Sequence, residues 1–145
     1  MKAQPPVRRT LNHLVDELQR SGRYSFTADE ALASWSGSES ALWRACSRLE
    51  KQGRIVSPRR GFYAIVPLEY RSAGAPPPEW YIDALMRFQG GSYYVGLLTA
   101  AALHGAAHQQ VQAFQVVTDR TLCDVYVGRA ARHKAARILP AQEGA

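Results

Sequence analysis

The chain has 145 residues, of which 46% are hydrophobic, so a packed core can form and wholesale disorder is excluded. Lys and Arg number 18 against 12 Asp and Glu, which gives a formal net charge of +6 at pH 7. Residues 1–71 carry 12 of the basic and 7 of the acidic residues, so the positive excess belongs mainly to the first half, as a polyanion-binding module there would require.

The cysteines and the hydropathy of the chain narrow the possible classes of protein. The two cysteines, Cys46 and Cys123, fit no metal-ligand spacing, so we expect both to be reduced and packed as small apolar residues. The chain shows no secretory signal segment and no apolar run of transmembrane length. We therefore expect a cytoplasmic protein that needs no cofactor or metal and does not enter a membrane.

Three short elements are predicted before the middle of the chain. Helical spacing predicts a first helix from about Val7 to Arg20. Residues 24–26 are predicted to be extended and to pair with a later hairpin. Thr27 and Glu30 have capping-box spacing and predict a short helix over residues 27–34. Another helix follows this short helix after a tight polar turn, and the two together have the pattern of a helix-turn-helix.

The next helix carries the main candidate surface. Ser36 with Glu39 has capping-box spacing, with Ser38 as a rival cap, and Gly53 is placed to end the helix. Apolar residues at three- and four-residue steps predict a buried stripe of Ala41, Leu42, Ala45, Cys46 and Leu49. The other side collects small polar and basic residues that can reach base edges and phosphates in a major groove. These residues are Ser40, Arg44, Ser47, Arg48 and Lys51.

A hairpin is predicted directly after this helix. Residues 55–56 lead into a Pro/Gly turn at residues 58–61, and residues 62–66 lead out of it. The turn carries Arg59 and Arg60, whose guanidinium groups can reach the flanking DNA backbone or the minor groove. Helices and hairpin together predict a winged helix-turn-helix.

The chain changes character after the hairpin. Residues 71–79 contain three consecutive prolines, which predict a linker and a module boundary. Residues 80–88 are predicted to form a helix, with Trp80, Leu85 and Phe88 buried. A second helix, rich in small residues, is predicted over residues 92–104.

Two strands and a tail are predicted to complete the chain. The strands cover residues 111–118 and 121–127, and they are suited to pair with each other. Residues 128–145 are basic and Ala-rich, which is typical of a frayed helix or a disordered tail. The expected fold class is therefore α+β, with a winged helix-turn-helix followed by a small, incomplete α/β domain. The expected boundaries are 7–70 for the DNA-binding domain, 71–79 for the linker, 80–127 for the second domain and 128–145 for the tail.

No catalytic constellation is evident in the sequence. His104 and His108 could share one helix face, but Gly105 separates them and no third ligand follows at useful spacing. Asp119 and Asp124 with a nearby lysine could serve a nuclease only if the fold brought them together. We therefore predict that the protein is not an enzyme.

Four segments resemble one protein family. Residues 41–55 and 58–67 resemble the wing-bearing N-terminal domain of AbiEi-type antitoxins, which act as transcriptional regulators. Residues 76–83 are similar to the interdomain entry of that family, and residues 93–110 are similar to the start of its C-terminal antitoxin domain. The resemblance runs from about Arg8 to Arg120, so the C-terminal domain is expected to be truncated.

The resemblance implies the antitoxin of a type IV toxin–antitoxin system. Such an antitoxin counters a nucleotidyltransferase-like toxin without forming a stable complex, and it represses its own operon by binding inverted repeats in double-stranded promoter DNA. The alternative is a winged-helix module that binds another protein without direct DNA readout. An exposed Trp43 beside Tyr63 in an apolar patch would favour that alternative, whereas a buried Trp43 would favour DNA.

Overall fold

The computed structural model of the chain describes residues 10–90, 93–95, 114–118, 124–127 and 133–140. These residues form a mixed α+β fold with two sheets, which confirms the predicted α+β class. The helices are α1 (Leu11–Arg20), α2 (Ala28–Ala33), α3 (Glu39–Lys51) and α4 (Ile82–Gln89). The strands are β1 (Ser25–Thr27), β2 (Ile55–Arg59), β3 (Phe62–Ile65), β4 (Tyr93–Val95), β5 (Phe114–Thr118), β6 (Val125–Val127) and β7 (His133–Pro140). No helix in this described part is long and apolar enough to cross a membrane.

The first three helices each begin after a hydroxyl side chain that accepts a backbone N–H of the first turn. Thr10 caps α1, so the part of the predicted first helix before residue 10 lies outside the described residues. Thr27 and Glu30 form the predicted capping box at α2, with both hydrogen bonds present. Ser38 caps α3, so the predicted cap at Ser36 is wrong and the rival was right.

The first sheet has the order β1-β3-β2, and both pairings are antiparallel. The predicted hairpin is confirmed as β2 and β3, and its turn places Gly61 at φ +83°, a conformation that favours glycine. The predicted extended segment is confirmed as β1, which pairs with β3. Phe26 and Tyr63 are opposite each other in this pairing, and their ring centroids lie 5.2 Å apart.

The side chains of this sheet alternate between two buried faces. One face packs with α1, α2 and α3 through Phe26, Ile55, Tyr63 and Ile65. The other face packs with α4, β5 and β6 through Val56, Phe62, Ala64 and Val66. Because a strand turns successive side chains to opposite faces, these alternating apolar residues make the hairpin the middle layer of the fold.

The segment predicted as a linker packs against its neighbours. Short 3₁₀ turns lie at its two ends, at Leu68–Tyr70 and Pro78–Trp80, and Ala75 between them is buried in the core beside α4. The Trp80 ring lies 5.2 Å from Tyr70 and 4.6 Å from Tyr24, measured between centroids. These aromatic contacts hold the segment close to the start of the first sheet.

Helix α4 begins two residues later than predicted. Leu85 is fully buried as expected, but Trp80 and Phe88 are 38% and 43% exposed, so their predicted burial is wrong. Trp80 belongs to the preceding 3₁₀ turn, and the later start brings a different set of residues to the core. These are Tyr81, Ile82 and Met86.

The second sheet has the order β4-β5-β7-β6 and corrects three predictions. Residues 93–95 form a strand that pairs with β5, although they were predicted to be helical, and Tyr-Tyr-Val suits a strand better than a helix. The rest of that predicted helix lies outside the described residues. Strand β5 is confirmed over residues 114–118, but β6 pairs with β7 and not with β5.

The third correction concerns the predicted tail. Residues 133–140 form β7, which pairs in parallel with β5 and antiparallel with β6, so the prediction of a frayed helix or disordered tail is wrong there. This strand lies between two partners, and their pairing outweighs a composition that shows no strand-like alternation. Residues 128–132 and 141–145 lie outside the described residues.

Candidate nucleic-acid interface

Helix α3 buries the face that its periodicity predicts. Four of the five predicted apolar residues are buried, and Ala41 is half-buried. The helix ends at the predicted glycine: Gly53 has φ +75° and donates its N–H to the Glu50 carbonyl at 3.0 Å. Arg54 then donates its N–H to the Leu49 carbonyl at 3.0 Å, which completes a Schellman end.

The opposite face of α3 is exposed and basic. At 3.6 residues per turn, the five predicted positions fall within about 100° of the helix circumference. All five are exposed, namely Ser40, Arg44, Ser47, Arg48 and Lys51. Within the described residues, the side chains of Arg44 and Arg48 form no ion pair or hydrogen bond. We call these five residues the α3 surface, and it presents cationic and hydroxyl groups to solvent.

The turn between α2 and α3 is fixed by an indole ring. Trp35 donates its Nε1–H to the carbonyl of Ser38 at 3.0 Å, and that carbonyl belongs to the N-cap of α3. A Cβ placed on Gly37 would lie 2.9 Å from Trp35 Nε1, so the ring occupies the space that a side chain would need. The turn therefore holds α3 at a defined angle to α2.

Arg54 ties the other end of α3 to α1. Its guanidinium donates to Asp16 Oδ1 at 2.7 Å and to Asn12 Oδ1 at 2.8 Å. Sequence reasoning missed this residue and also Trp35, because their partners are identified only by the fold. The one signal for Arg54 was a basic residue directly after the glycine that ends α3.

The two arginines of the hairpin turn lie in different environments. Arg60 is exposed, and its side chain forms no ion pair or hydrogen bond within the described ranges. Arg59 is half-buried, and its Nη1 donates to the carbonyl of Asp124 at 3.1 Å. The Ser57 hydroxyl braces the turn, since its Oγ lies 2.8 Å from the Arg59 carbonyl oxygen and 3.0 Å from that of Phe62.

Trp43 lies on α3 next to the α3 surface and is 38% exposed. Tyr63 is buried, so the two residues do not form the shared apolar patch that a protein partner would use. The Tyr63 hydroxyl instead interacts with the thiol of Cys46, and burial raises the pKa of both groups. Cys46 is therefore a packed interior thiol.

Other chemistry has little support in the described part of the chain. No group of three His, Cys, Asp or Glu residues there could hold a metal ion. A groove of about 180 Å³ between α1 and α3 is lined by Arg48 and Trp35, among others, and is smaller than the usual pocket of about 300–1,000 Å³ for a small molecule. His104, His108 and Asp119 lie outside the described residues.

One family model matches the chain. Residues 94–143 match the AbiEi antitoxin C-terminal domain, which confirms the resemblance to AbiEi-type antitoxins. The match extends past Arg120, where the resemblance was expected to end. An antitoxin domain of this kind suggests a type IV toxin–antitoxin system, and it implies a toxin as the partner. No curated protein and no solved structure matches the chain.

Proposed function

Because residues 94–143 match an antitoxin domain, we propose that this chain is a type IV antitoxin that binds DNA and represses its own operon. In this proposal residues 7–70 form a winged helix-turn-helix. Helices α2 and α3 are its helix-turn-helix, and strands β2 and β3 are its wing. The segment 71–79 then joins this DNA-binding part to the antitoxin part.

The α3 surface carries the proposal. A major groove admits one α-helix, and side chains on the exposed face of that helix reach base edges and phosphates. Arg44 lies near the middle of the helix, where a guanidinium can donate two hydrogen bonds to one guanine. Arg48 and Lys51 lie nearer its C-terminus and suit phosphates, while Ser40 and Ser47 supply small hydroxyl groups that permit close approach.

The hairpin turn extends the proposed interface. Arg60 is exposed and can reach the DNA backbone or minor groove beside the helix. Arg59 belongs to the predicted interface by its position in the turn, but its guanidinium already donates to Asp124. The turn therefore offers DNA one exposed guanidinium, that of Arg60, and a second that is engaged within the chain.

A protein-interaction module is the competing function. The exposed ring of Trp43 favours it, because aromatic side chains are enriched where proteins bind each other. The buried position of Tyr63 disfavours it, since Trp43 then lacks the neighbouring aromatic residue of the patch that was expected. Binding to DNA and binding to a protein respond differently to salt, so one experiment separates them.

The experiment is fluorescence anisotropy of the full chain on duplex DNA from upstream of its own gene. With about five phosphates neutralised, log affinity should fall against log salt with a slope of about −4 to −5. The double variant R44Q/R48Q should make this slope shallower by about two units. R87Q removes an exposed charge on α4 and should change neither slope nor affinity. An affinity that does not respond to salt would exclude the DNA-binding proposal.

The antitoxin part of the proposal has a separate test. The toxin is proposed to be a nucleotidyltransferase-like protein encoded beside this chain, which the antitoxin counters without a stable complex. Co-expression of the two proteins should restore growth that the toxin alone arrests. R44Q/R48Q should still restore growth while losing repression, because its substitutions lie on α3 and not within residues 94–143.

A further inference from the structure

The hairpin that forms the proposed wing is covered on both faces. Its inner face contacts α1, α2 and α3, and its outer face contacts α4, β5 and β6 through Val56, Phe62 and Ala64. A wing that projects into solvent can follow the contour of a duplex, but this one is packed between two layers. Its orientation is therefore set partly by the second half of the chain.

Two further contacts lie at the turn itself. The ring of Phe88 on α4 lies 5.6 Å from that of Phe62, and a Cβ placed on Gly61 would be 3.5 Å from Phe88 Cζ. On the other side, the Gly61 carbonyl accepts the N–H of Ala28 at 2.8 Å. The turn is thus held between the first residue of α2 and the last turn of α4.

Arg59 adds a polar contact across 65 residues of sequence. Its Nη1 donates to the carbonyl of Asp124, directly before β6, and the side chain is half-buried. A guanidinium that donates to a part-buried carbonyl is oriented by that hydrogen bond. Breaking the bond without a new partner costs free energy. Arg60, the next residue, remains exposed.

We propose that Arg59 and Phe88 form a clasp that fixes the hairpin turn to the second half of the chain, and that this clasp controls how Arg60 meets DNA. Arg59 is then a positioning residue and not a phosphate contact. The inference rests on the proposed DNA binding and adds its regulation: a change in the antitoxin part that displaces Asp124 or Phe88 weakens binding to DNA.

The salt dependence of binding separates a clasp from a phosphate contact. R59Q, F88A, R60Q and the control R87Q are measured in the full chain on a random-sequence duplex by fluorescence anisotropy. R60Q should make the log–log salt slope shallower by about 0.9, because it removes one phosphate contact. R59Q and F88A should each weaken binding about 2- to 30-fold, because the freed turn must be ordered again before Arg60 reaches its phosphate. The slope should stay unchanged, because Arg60 still neutralises that phosphate in the complex.

A double variant tests whether the two residues act together. R59Q/F88A should bind no more weakly than the weaker single variant, since either change opens the same clasp. Additive losses, a slope that falls in R59Q as it does in R60Q, or unchanged affinity in both single variants would each overturn the proposal. R59K keeps the charge, so its slope should stay unchanged. Its affinity should fall less than that of R59Q only if the ammonium group still donates to the Asp124 carbonyl.

Hydrogen–deuterium exchange without DNA gives a readout that does not depend on the proposed function. The peptide that covers residues 57–62 should exchange faster in R59Q and in F88A than in the wild type and R87Q. Unchanged exchange would overturn the clasp even if the protein binds DNA. Faster exchange in R59Q and F88A, together with a wild-type chain that shows no salt-sensitive binding to DNA, would support the clasp and reject the proposed function.

Discussion

At the scale of single residues, Ser38 determines where α3 begins. Its Oγ accepts the N–H of Ala41 at 3.3 Å, and it also lies 3.2 Å from the Oγ of Ser40 on the α3 surface. Ser36 is exposed and lies outside the helix. The two serines thus form a matched pair, of which only one bonds the helix.

We expect Ser38→Ala to lower the free energy of unfolding by about 1 kcal/mol, because the first turn of α3 loses its cap. Ser36→Ala should change it by less than about 0.5 kcal/mol, as is usual for an exposed residue. Urea unfolding of both variants measures the difference. Equal losses in the two variants would contradict the assignment of the cap.

Glu50 makes the stability of α3 depend on pH. Its carboxyl is half-buried, and desolvation raises its pKa from the ordinary value of 4.5. The folded protein then binds this proton more strongly than the unfolded protein, so this carboxyl lowers stability as pH rises from about 4.5 through its raised value. The contribution of this carboxyl to stability is most favourable below that window, where it is protonated in both states.

We expect the Glu50→Gln variant to be more stable than the wild type at neutral pH. At acid pH the variant and the wild type should have nearly the same free energy of unfolding. The difference in unfolding midpoint between the two proteins should therefore widen as pH rises through the window. Urea unfolding at a series of pH values measures it. A difference that stays constant with pH would show that Glu50 is not the group responsible.

Residues that follow a local pattern could be predicted, and those that act over long distances could not. The five residues of the α3 surface were identified correctly as exposed, because a 3.6-residue period needs only neighbouring sequence. Arg54 bonds residues 38 and 42 positions away, and Arg59 bonds one 65 positions away. No periodicity carries such information, so Arg59 was predicted to be a free DNA contact.

At the scale of elements, β7 is the strand that most needs a test. Ala136 pairs with Phe114 on one side and Val125 on the other, so β7 is hydrogen-bonded along both edges. A proline in such a strand removes an N–H and interrupts the ladder.

We expect Ala136→Pro to lower the free energy of unfolding by about 1–3 kcal/mol, the cost of a buried group that loses its hydrogen bond. Ala136→Ser keeps the backbone N–H and is the control. Thermal unfolding followed by circular dichroism compares them. If both variants melt together with the wild type, residues 133–140 do not form a paired strand.

Elements held by local signals were predicted more accurately than those held by distant partners. The capping box of α2, the glycine that ends α3 and the hairpin β2–β3 all follow from short stretches of sequence. Strands β4 and β7 were missed because both pair with β5, from which residues 96–113 and 119–132 separate them, and pairing decides short segments of mixed composition.

At the scale of the whole molecule, the first sheet joins the two cores. Phe62 is 1% exposed and faces α4, whereas its neighbour Tyr63 faces the helices of the first half. A sheet buried on both faces couples the layers that cover it, even though the sequence predicted a linker between two modules. We therefore expect the described layers to unfold together.

Calorimetry of the full chain should show one transition. Phe62→Ala should lower the free energy of unfolding by about 3–5 kcal/mol, because it leaves a cavity in the shared layer, and the single transition should move as a whole. Two transitions, of which only one moves in Phe62→Ala, would show that the halves fold independently and that residues 71–79 act as a flexible linker.

The central claim is that the α3 surface is the part of this chain that meets DNA. Its most direct test is to map amide and arginine side-chain NMR shifts of the isotope-labelled full chain during titration with a short duplex at low salt. The account predicts that the largest shifts fall on the α3 surface and on Arg60, with α4 unaffected. Shifts confined to Leu68, Trp80 and α4, or none at all, would contradict it.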